Sequence, residues 1–255
     1  ILDTTPPVIE NPEDMTVECD EVPMAPGADG IEIYDNCGEE VTVEFTEEII
    51  EGDCEDNYTI VWTWTATDFC ENVSEASTTI TVQDTTDPVF VQVPEDMTYE
   101  CDEEIPACDI ASVVAEDNCD AEVIVECQDE IIDGECPQEY TINRIYRAYD
   151  NCGNQAIYVQ EISVVDTTAP VVVPADDITV ECSDDLPAPS AEVTDNCGET
   201  TLDVSDEIFE GECPQEYTLV YTYTATDECG NISESVSQTI TVVDTTAPVF
   251  GEYEI

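Results

Sequence analysis

The stretch Asp84-Thr85-Thr86-Asp87-Pro88-Val89 occurs four times in this sequence of 255 residues, with small variations. The other copies are Asp3-Thr4-Thr5-Pro6-Pro7-Val8, Asp166-Thr167-Thr168-Ala169-Pro170-Val171 and Asp244-Thr245-Thr246-Ala247-Pro248-Val249. A fixed period of about 80 residues is long for a solenoid repeat and suits a small domain with its own core. The sequence therefore predicts tandem domains that are joined at Asp-Thr-Thr-x-Pro.

The repeat boundaries follow from these copies. Residues 1–2 end a preceding repeat, and repeats 1, 2 and 3 comprise residues 3–83, 84–165 and 166–243. Residues 244–255 begin a fourth repeat or form a strand that is donated to a neighbouring subunit. We expect the chain to be a segment of a longer array, with any export signal or anchor outside it. The sequence does not choose between one covalent array and a head-to-tail polymer.

The charge of the chain excludes several classes of partner. Two arginines and no lysine or histidine stand against 64 acidic residues, for a formal charge of -62. Nucleic acids and anionic lipids bind through Lys and Arg, so neither is an expected partner. The sequence contains no transmembrane segment, and no membrane insertion is expected. A salt-rich habitat or the binding of divalent cations would each account for the acidity.

Twelve of the fourteen cysteines recur at equivalent positions in the three repeats, and Cys108 and Cys127 occur in repeat 2 alone. Such a pattern indicates disulfides and an oxidising compartment, which places the protein outside the cell or on its surface. Zinc binding is disfavoured because the chain lacks both histidine and a Cys-x-x-Cys pair.

Alternating apolar residues predict an all-β fold. Each repeat has one long strand; in repeat 1 it runs from Tyr58 to Thr67, with its larger side chains on one face and threonines mostly on the other. Shorter strands are predicted at Met15–Val17, Val41–Phe45 and Thr78–Val82, and no segment has a helical period. We therefore predict a tandem array of immunoglobulin-like β-sandwich domains, disulfide-stapled.

Several blocks recur in the same order in all three repeats and resemble a known family. In repeat 1 they are Pro12-Glu13-Asp14-Met15-Thr16-Val17-Glu18-Cys19, Asp35-Asn36-Cys37, Tyr58-Thr59 and Thr65-Ala66-Thr67-Asp68, and the repeat closes on Asp-Thr-Thr-x-Pro. This series resembles the hyalin-type (HYR-like) repeat in its cysteine-containing version, as found in giant surface adhesins of gliding bacteria. Repeat 1 departs from the pattern at Glu71, where repeats 2 and 3 have glycine. The resemblance implies an immunoglobulin-like fold and an extracellular, often adhesive, role, and it names no ligand.

The predicted strand directions constrain the disulfides. Cys54 and Cys70 flank one long strand and are too far apart to bond to each other. A hairpin would bring Cys37 to Cys70, and in an immunoglobulin-like sandwich the first strand would end near Cys54. The predicted pairs are Cys19–Cys54, Cys37–Cys70, Cys101–Cys136, Cys119–Cys152, Cys182–Cys213 and Cys197–Cys229, with Cys108–Cys127 as an extra pair in repeat 2.

Acidic and amide side chains are expected to converge where one repeat enters the next. Carboxylate and amide oxygens suit Ca²⁺, so we predict structural calcium at the joints between repeats. The alternative is that these residues only form turns. The candidate ligands are Asp3, Asp35, Asn36, Asp68, Asn72, Asp84, Asp87, Asp117, Asn118, Asp150, Asn154, Asp166, Asp195, Asn196, Asp227, Asn231 and Asp244.

The Asp-Thr pairs also resemble a bacterial O-glycosylation signal, which makes Thr4, Thr85, Thr167 and Thr245 candidate glycosylation sites. The alternative is that the threonines simply continue an extended linker.

The sequence favours a structural function over catalysis. Without histidine and lysine, most acid–base and nucleophilic arrangements are unavailable, so no enzyme activity is expected. We predict a rod segment of an extracellular bacterial surface adhesin or fibre, stiffened by calcium, whose partners are neighbouring repeats or identical subunits. The alternatives are a glycan-binding adhesive module, with Trp62 and Trp64 as a possible platform, and an acidic matrix protein that binds divalent ions non-specifically.

Overall fold

The computed structural model describes residues 3–10, 12–38 and 40–249. The predicted strand from Val249 onward extends beyond the described residues, as do residues 1–2. The described chain forms two compact units. The first comprises the described residues up to Glu95 together with Cys108–Gln128 and Arg144–Gln160, and the second comprises Asp96–Ala107, Asp129–Asn143 and the described residues from Glu161 onward.

The same six strands recur in each repeat. In repeat 1 they are β1 (Val8–Ile9), β2 (Met15–Glu18), β3 (Ile33–Tyr34), β4 (Thr42–Glu51), β5 (Tyr58–Thr67) and β6 (Val73–Gln83). In repeat 2 they are β7 (Val89–Gln92), β8 (Met97–Glu100), β9 (Val114–Glu116), β10 (Ile124–Asp133), β11 (Tyr140–Tyr149) and β12 (Gln155–Val165). In repeat 3 they are β13 (Val171–Pro174), β14 (Ile178–Glu181), β15 (Ala191–Thr194), β16 (Thr200–Glu210), β17 (Tyr217–Asp227) and β18 (Val236–Val243). Three short 3₁₀ turns lie at Cys19–Glu21, Ala28–Gly30 and Ile110–Ser112.

Each repeat builds one large and one small sheet. In repeat 1 the large sheet has the order β2-β6-β5-β4, and the small sheet pairs β1 with β3. β2 runs parallel to β6, while β5 is antiparallel to both β4 and β6. The same order recurs in repeat 3 as β14-β18-β17-β16, with β13 paired to β15. The predicted all-β, immunoglobulin-like fold is confirmed.

The long central strand carries the core of its repeat. Along β5 the side chains alternate, with Ile60, Trp62, Trp64 and Ala66 buried. Ile80 of β6 is fully buried and packs into the same cluster. The Trp64 indole N–H donates to the carbonyl of Gly27 at 2.9 Å, which satisfies its one polar atom inside the core. The aromatic column predicted from the sequence therefore faces the core.

In repeat 3 the small sheet closes the core over the large one. Val172 of β13 packs with Tyr223 and Ala225 of β17, both of which are fully buried. The Tyr223 hydroxyl accepts from the amide of Ser190 and lies 3.1 Å from Gln238 Oε1. The two sheets therefore pack face to face around one apolar cluster.

Candidate functional site at the repeat joints

Four of the five disulfides connect one repeat to the next. Cys19–Cys119 and Cys54–Cys152 cross joint 1, where repeat 1 meets repeat 2. Cys101–Cys197 and Cys136–Cys229 cross joint 2, where repeat 2 meets repeat 3. Their Cα–Cα distances are 5.9, 5.2, 6.2 and 5.1 Å, within the range of disulfide bonds. We call these bonds the cross-joint disulfides.

These pairings contradict most of the disulfide pairs that were predicted from the sequence. The fifth bond, Cys108–Cys127, was predicted correctly. Cys37, Cys70, Cys182 and Cys213 form no disulfide with another cysteine among the described residues. The predicted pairs that are wrong are Cys19–Cys54, Cys37–Cys70, Cys101–Cys136, Cys119–Cys152, Cys182–Cys213 and Cys197–Cys229.

The order of strands explains why Cys19 does not reach Cys54. Cys19 follows β2 and Cys54 precedes β5, and both lie at the end of the repeat from which the chain leaves. β6 lies between β2 and β5, so two strand spacings, roughly 10 Å, separate the two strands. A disulfide spans less than about 7 Å between Cα atoms. Each cysteine instead bonds to one at the facing end of the next repeat.

The same tight turn recurs in the three repeats and presents the second cysteine at the exit end of each, the end from which the chain leaves. In repeat 2 the Gly134 amide donates to the Glu139 carbonyl at 2.9 Å, and the Glu139 amide donates to the Cys136 carbonyl at 3.1 Å. A Cβ on Gly134 would lie 2.5 Å from the Glu139 carbonyl oxygen, so this tight turn requires glycine. The equivalent turns hold Cys54 after Gly52 and Cys213 after Gly211.

Acidic residues gather beside the cross-joint disulfides at joint 1. Asp84 is the first residue of repeat 2 and lies in the linker, and Asp117, Asp120 and Asp150 come from the body of the same repeat. One carboxylate oxygen from each of Asp84, Asp120 and Asp150 lies within 4.8 Å of the other two, and carboxylate oxygens of Asp84 and Asp117 lie within the same distance of each other and of the Cys119 sulfur. Asp84 and Asp150 are only 4% and 6% exposed. We call these four aspartates the joint 1 cluster.

Two oxygens of this cluster are buried without a hydrogen-bond donor among the described residues. They are Asp84 Oδ2 and Asp117 Oδ2. The other oxygen of each residue is engaged, because Asp84 Oδ1 accepts from the Thr86 amide at 3.2 Å and Asp117 Oδ1 accepts from the Cys119 amide at 2.8 Å. A buried carboxylate oxygen without a donor costs free energy unless a cation or a proton compensates for it.

Asp150 and Asn154 tie the cluster to the linker. Asp150 Oδ1 accepts from the amides of Cys152, Gly153 and Asn154 at 2.9, 2.6 and 2.8 Å. The Asn154 side-chain amide donates to Asp150 Oδ2 at 2.8 Å and to the Asp84 carbonyl at 3.2 Å. Gly153 has a positive φ of 93°, which closes this loop. These bonds fix the first residue of repeat 2 against the end of its long strand.

Joint 2 repeats this arrangement. Asp166 and Asp195 each leave Oδ2 buried without a donor among the described residues, and Asp166 is 4% exposed. The Asn231 side-chain amide donates to the Asp166 carbonyl at 2.9 Å and to Asp227 Oδ2 at 2.8 Å. Asp166, Asp195 and Asp227 form the joint 2 cluster.

The entry end of repeat 1, which is the end at which the chain enters the repeat, has the same hydrogen bonds and the same donor-free aspartate oxygen. Asn72 donates to the Asp3 carbonyl at 3.4 Å and to Asp68 Oδ2 at 2.7 Å, and Asp35 Oδ2 is buried without a donor among the described residues. Glu71 occupies the position of Gly153 with a positive φ of 67°, a backbone conformation that costs about 1 kcal/mol for a residue with a side chain. The departure seen in the sequence is therefore accommodated without a change of loop.

Burial and neighbouring negative charges raise the pKa of the linker aspartates Asp84 and Asp166. Burial, followed by the nearby Asp117, Asp150 and Asp120, raises the pKa of Asp84 above its ordinary value of 3.8, partly offset by the hydrogen bond from the Thr86 amide. Burial and the neighbouring Asp227, Asp195 and Glu100 raise the pKa of Asp166 in the same way. For Asp227, burial acts against ionisation, but hydrogen bonds led by Asn231 outweigh it and lower the pKa.

Some predicted ligands lie apart from the clusters, and one member was missed. The side-chain amides of Asn36, Asn118 and Asn196 point at cysteine sulfur atoms. Asp87 Oδ1 accepts from the Gln155 amide, and Asp244 Oδ1 accepts from the Thr246 amide at the exit end of repeat 3. Asp120 was not predicted; its signal is an aspartate where the other repeats have Gly38 and Gly198.

Three of the four candidate glycosylation sites donate hydrogen bonds to a glutamate. The Thr85 hydroxyl donates to Glu18 Oε1 at 2.6 Å, and the Thr85 amide donates to Oε2 of the same carboxylate at 3.1 Å. Thr167 contacts Glu100 and Thr245 contacts Glu181 in the same manner. An O-linked sugar on these threonines would replace the donated proton. Glycosylation of Thr4, Thr85, Thr167 and Thr245 stays a prediction.

No helix among the described residues has the length and apolar character needed to cross a membrane. Among curated protein sequences, none matches the chain. Among solved structures, PcdhgB3 EC1-4 has 15% identity and a TM-score of 0.36, with 96% of this chain and 77% of that chain covered. Drosophila N-cadherin EC1-4 has 14% identity and a TM-score of 0.24, covering 91% and 74%. Human CDH23 EC21-23 has 13% identity and a TM-score of 0.31, covering 94% and 100%.

The family model for the HYR-like domain with 4 cysteines matches residues 7–82 and 170–242, which together are more than half of the chain. These ranges fall in repeats 1 and 3, and each contains the four cysteines that recur at the two ends of a repeat. The chain belongs to the family of HYR-like domains with four cysteines.

Proposed function

We propose that this chain is a tension-bearing structural segment of an extracellular surface adhesin or fibre, of the type that bacteria display. Its immediate partners are neighbouring repeats. The observation that carries the proposal is the set of cross-joint disulfides, which connect each repeat to the next by two bonds besides the backbone. Disulfides persist in oxidising surroundings, which supports a location outside the cell.

The cross-joint disulfides provide a short covalent path through the array. Between Cys19 and Cys229 the backbone comprises about 210 residues. The path through Cys19–Cys119 and Cys136–Cys229 needs only the roughly 17 residues between Cys119 and Cys136. Fully extended, those lengths are roughly 700 Å and roughly 60 Å. Because ten of the 17 residues already form strand β10, tension adds little length to this path.

Repeat 2 is crossed by further covalent segments. Its entry end holds Cys119 and Cys152, and its exit end holds Cys101 and Cys136. The segments from Cys101 to Cys119, from Cys119 to Cys136 and from Cys136 to Cys152 each join one end to the other. A pulling force therefore passes through these segments, and the rest of the repeat does not have to unfold to carry it.

The residues of the joint clusters fit calcium. At joint 1 the ion would be held by Asp84, Asp117, Asp120 and Asp150, and at joint 2 by Asp166, Asp195 and Asp227. Hard oxygen ligands, two donor-free buried oxygens at each joint and the excess of negative charge all favour a divalent cation. Calcium would neutralise these carboxylates and hold the linker residue, Asp84 or Asp166, against the entry end of the repeat that it begins.

The rival functions receive less support. A glycan platform on Trp62 and Trp64 requires exposed rings, but both residues are buried, at 5% and 1% exposure. Non-specific collection of ions requires no built site, whereas equivalent buried oxygens recur at both joints. We also propose no catalytic role, since the sequence lacks the histidine and lysine on which most acid–base chemistry relies.

Single-molecule pulling on residues 1 and 255 tests the tension-bearing role. With all cross-joint disulfides intact, the shortest covalent path has about 61 residues and stretches to roughly 210 Å; after reduction the full backbone stretches to roughly 870 Å. The variant C19S/C119S reroutes the path through Cys54–Cys152 and lengthens it by about 34 residues, or roughly 120 Å.

The matched control is C108S/C127S, which removes a disulfide that is not part of the shortest covalent path. This variant should leave the maximum extension of the oxidised chain unchanged. Extension of the oxidised chain toward the full backbone length would contradict the proposal.

A further inference from the structure

The four free cysteines are the repeat equivalents of cysteines that bond across joints. Cys37 and Cys70 of repeat 1 correspond to Cys119 and Cys152 of repeat 2, each 82 residues further on. Those two partners bond to the preceding repeat. Cys182 and Cys213 of repeat 3 correspond to Cys101 and Cys136, which bond to the following repeat. Both free pairs are exposed.

The other parts of a joint are also present at these two ends. At the entry end, Asp35 has the donor-free Oδ2 seen in Asp117, and Asn72 holds the Asp3 carbonyl as Asn154 holds that of Asp84. At the exit end, the Thr245 amide donates to Glu181 at 3.1 Å, as the Thr85 amide donates to Glu18. Each end is therefore half of a joint.

We propose that the entry cysteines of repeat 1 and the exit cysteines of repeat 3 form disulfide pairs with the facing ends of further four-cysteine repeats of the same kind, and that a second copy of this chain can supply those repeats. The equivalence assigns the bonds. Cys182 of one copy bonds to Cys37 of the next, as Cys19 bonds to Cys119, and Cys213 bonds to Cys70, as Cys54 bonds to Cys152. The inference goes beyond the tension-bearing role, because it identifies the partner of each end.

Each bond forms by thiol–disulfide exchange with a low-molecular-weight disulfide such as oxidised glutathione. The Cys182 thiolate attacks one glutathione sulfur, giving a mixed disulfide and one reduced glutathione. The Cys37 thiolate of the second copy then displaces the second glutathione. Two protein thiols are oxidised to one disulfide, and one glutathione disulfide is reduced to two thiols.

Two variants that each keep one end test the assignment. C37S/C70S retains only the exit thiols, and C182S/C213S retains only the entry thiols. Incubated with a glutathione redox buffer, each variant alone stays monomeric, their mixture forms a dimer and nothing larger, and the wild type forms a head-to-tail ladder. If one variant is ¹⁵N-labelled, the non-reduced dimer yields mixed-isotope peptides that link Cys182 to Cys37 and Cys213 to Cys70.

Three results would overturn the inference. The first is bonding within one copy, Cys37 to Cys70 or Cys182 to Cys213. The second is a dimer from either variant alone, and the third is a mixture that remains monomeric. Circular dichroism of each variant verifies its fold, and the internal bond Cys108–Cys127 must stay intact in all species.

Discussion

Replacing Asp84 by asparagine is expected to stabilise the calcium-free protein at pH 7 and to destabilise the calcium-loaded protein. Without the ion, Asp84 is a buried carboxylate beside Asp117, Asp120 and Asp150, so loss of its charge relieves repulsion. With the ion, D84N loses a charged ligand. For a site filled at 100 times its dissociation constant, calcium contributes about 2.7 kcal/mol to the free energy of unfolding. D84N should therefore change the free energy of unfolding in opposite directions with and without calcium. An acidic turn that binds no ion would not show this reversal.

The pH dependence follows from the raised pKa of Asp84. A carboxyl whose folded-state pKa lies above its unfolded value contributes stability that is present below the unfolded pKa and is lost as pH rises through the folded pKa. In calcium-free buffer, the advantage of D84N over the wild type should therefore shrink as the pH falls toward 4. In calcium, acidification weakens the wild type instead, because protonated carboxylates do not bind the ion.

Denaturant titrations with calcium or chelator measure these differences. The control is D29N, which removes an exposed aspartate outside both joint clusters and should leave the calcium response unchanged. The same stability difference between D84N and the wild type with and without calcium would contradict a calcium site at joint 1.

Removing the cross-joint disulfides of joint 1 is expected to release repeat 1 from repeat 2. Cys54–Cys152 closes a loop of 98 residues, and loops of this size are worth about 4.7 kcal/mol in the chain-entropy model. Cys19–Cys119 closes an overlapping loop, so the second bond adds less than the first. The quadruple variant C19S/C54S/C119S/C152S should lose roughly 2–5 kcal/mol of stability.

Hydrogen exchange locates this effect. The amides of Thr85 and Thr86 are held by Glu18 and Asp84 and lie in the linker of joint 1. Their exchange should accelerate at least about tenfold in the quadruple variant, which corresponds to about 1.4 kcal/mol of local stability. The variant C108S/C127S, which breaks a bond inside repeat 2, should leave these two amides protected. Equal protection in both variants would show that the cross-joint disulfides do not hold the joint.

The sequence was sufficient to predict the strands and to predict at which end of a repeat the candidate site residues lie. The alternation from Tyr58 to Thr67 predicts the core face of β5, because a half-buried strand exposes every second side chain. The direction of β5 places Asp68 and Asn72 at the entry end, where the structure brings them to Asp3. These inferences depend only on local pattern and strand direction.

The disulfide pairing could not be predicted from the sequence in the same way. Cys19 and Cys54 share one end of the repeat, which makes a bond between them a reasonable prediction. The parallel pairing of β2 with β6, however, inserts a strand between them. An alternating pattern does not show whether two strands pair in parallel or antiparallel. The sequence of one repeat also does not show which cysteines of the neighbouring repeat it faces. Cys108–Cys127 was predictable because repeat 2 alone contains these two extra cysteines.

Asp120 was missed for a related reason. It follows the Asp117-Asn118-Cys119 block and stands where the other repeats have glycine, so it belongs to no recurring motif. Its role depends on Asn151, whose backbone and side-chain amides both donate to its carboxylate. Only the folded loop brings these residues, which are 31 positions apart, into contact.

A non-reduced disulfide map of the oxidised chain tests the account most directly, because both the tension path and the half-joints depend on which cysteines pair. Proteolysis with free thiols blocked, followed by mass spectrometry, should yield peptides that link Cys19 to Cys119, Cys54 to Cys152, Cys101 to Cys197 and Cys136 to Cys229. Peptides that link Cys19 to Cys54 and Cys119 to Cys152 would contradict it, since each repeat would then be closed on itself and joined to its neighbours by the backbone alone.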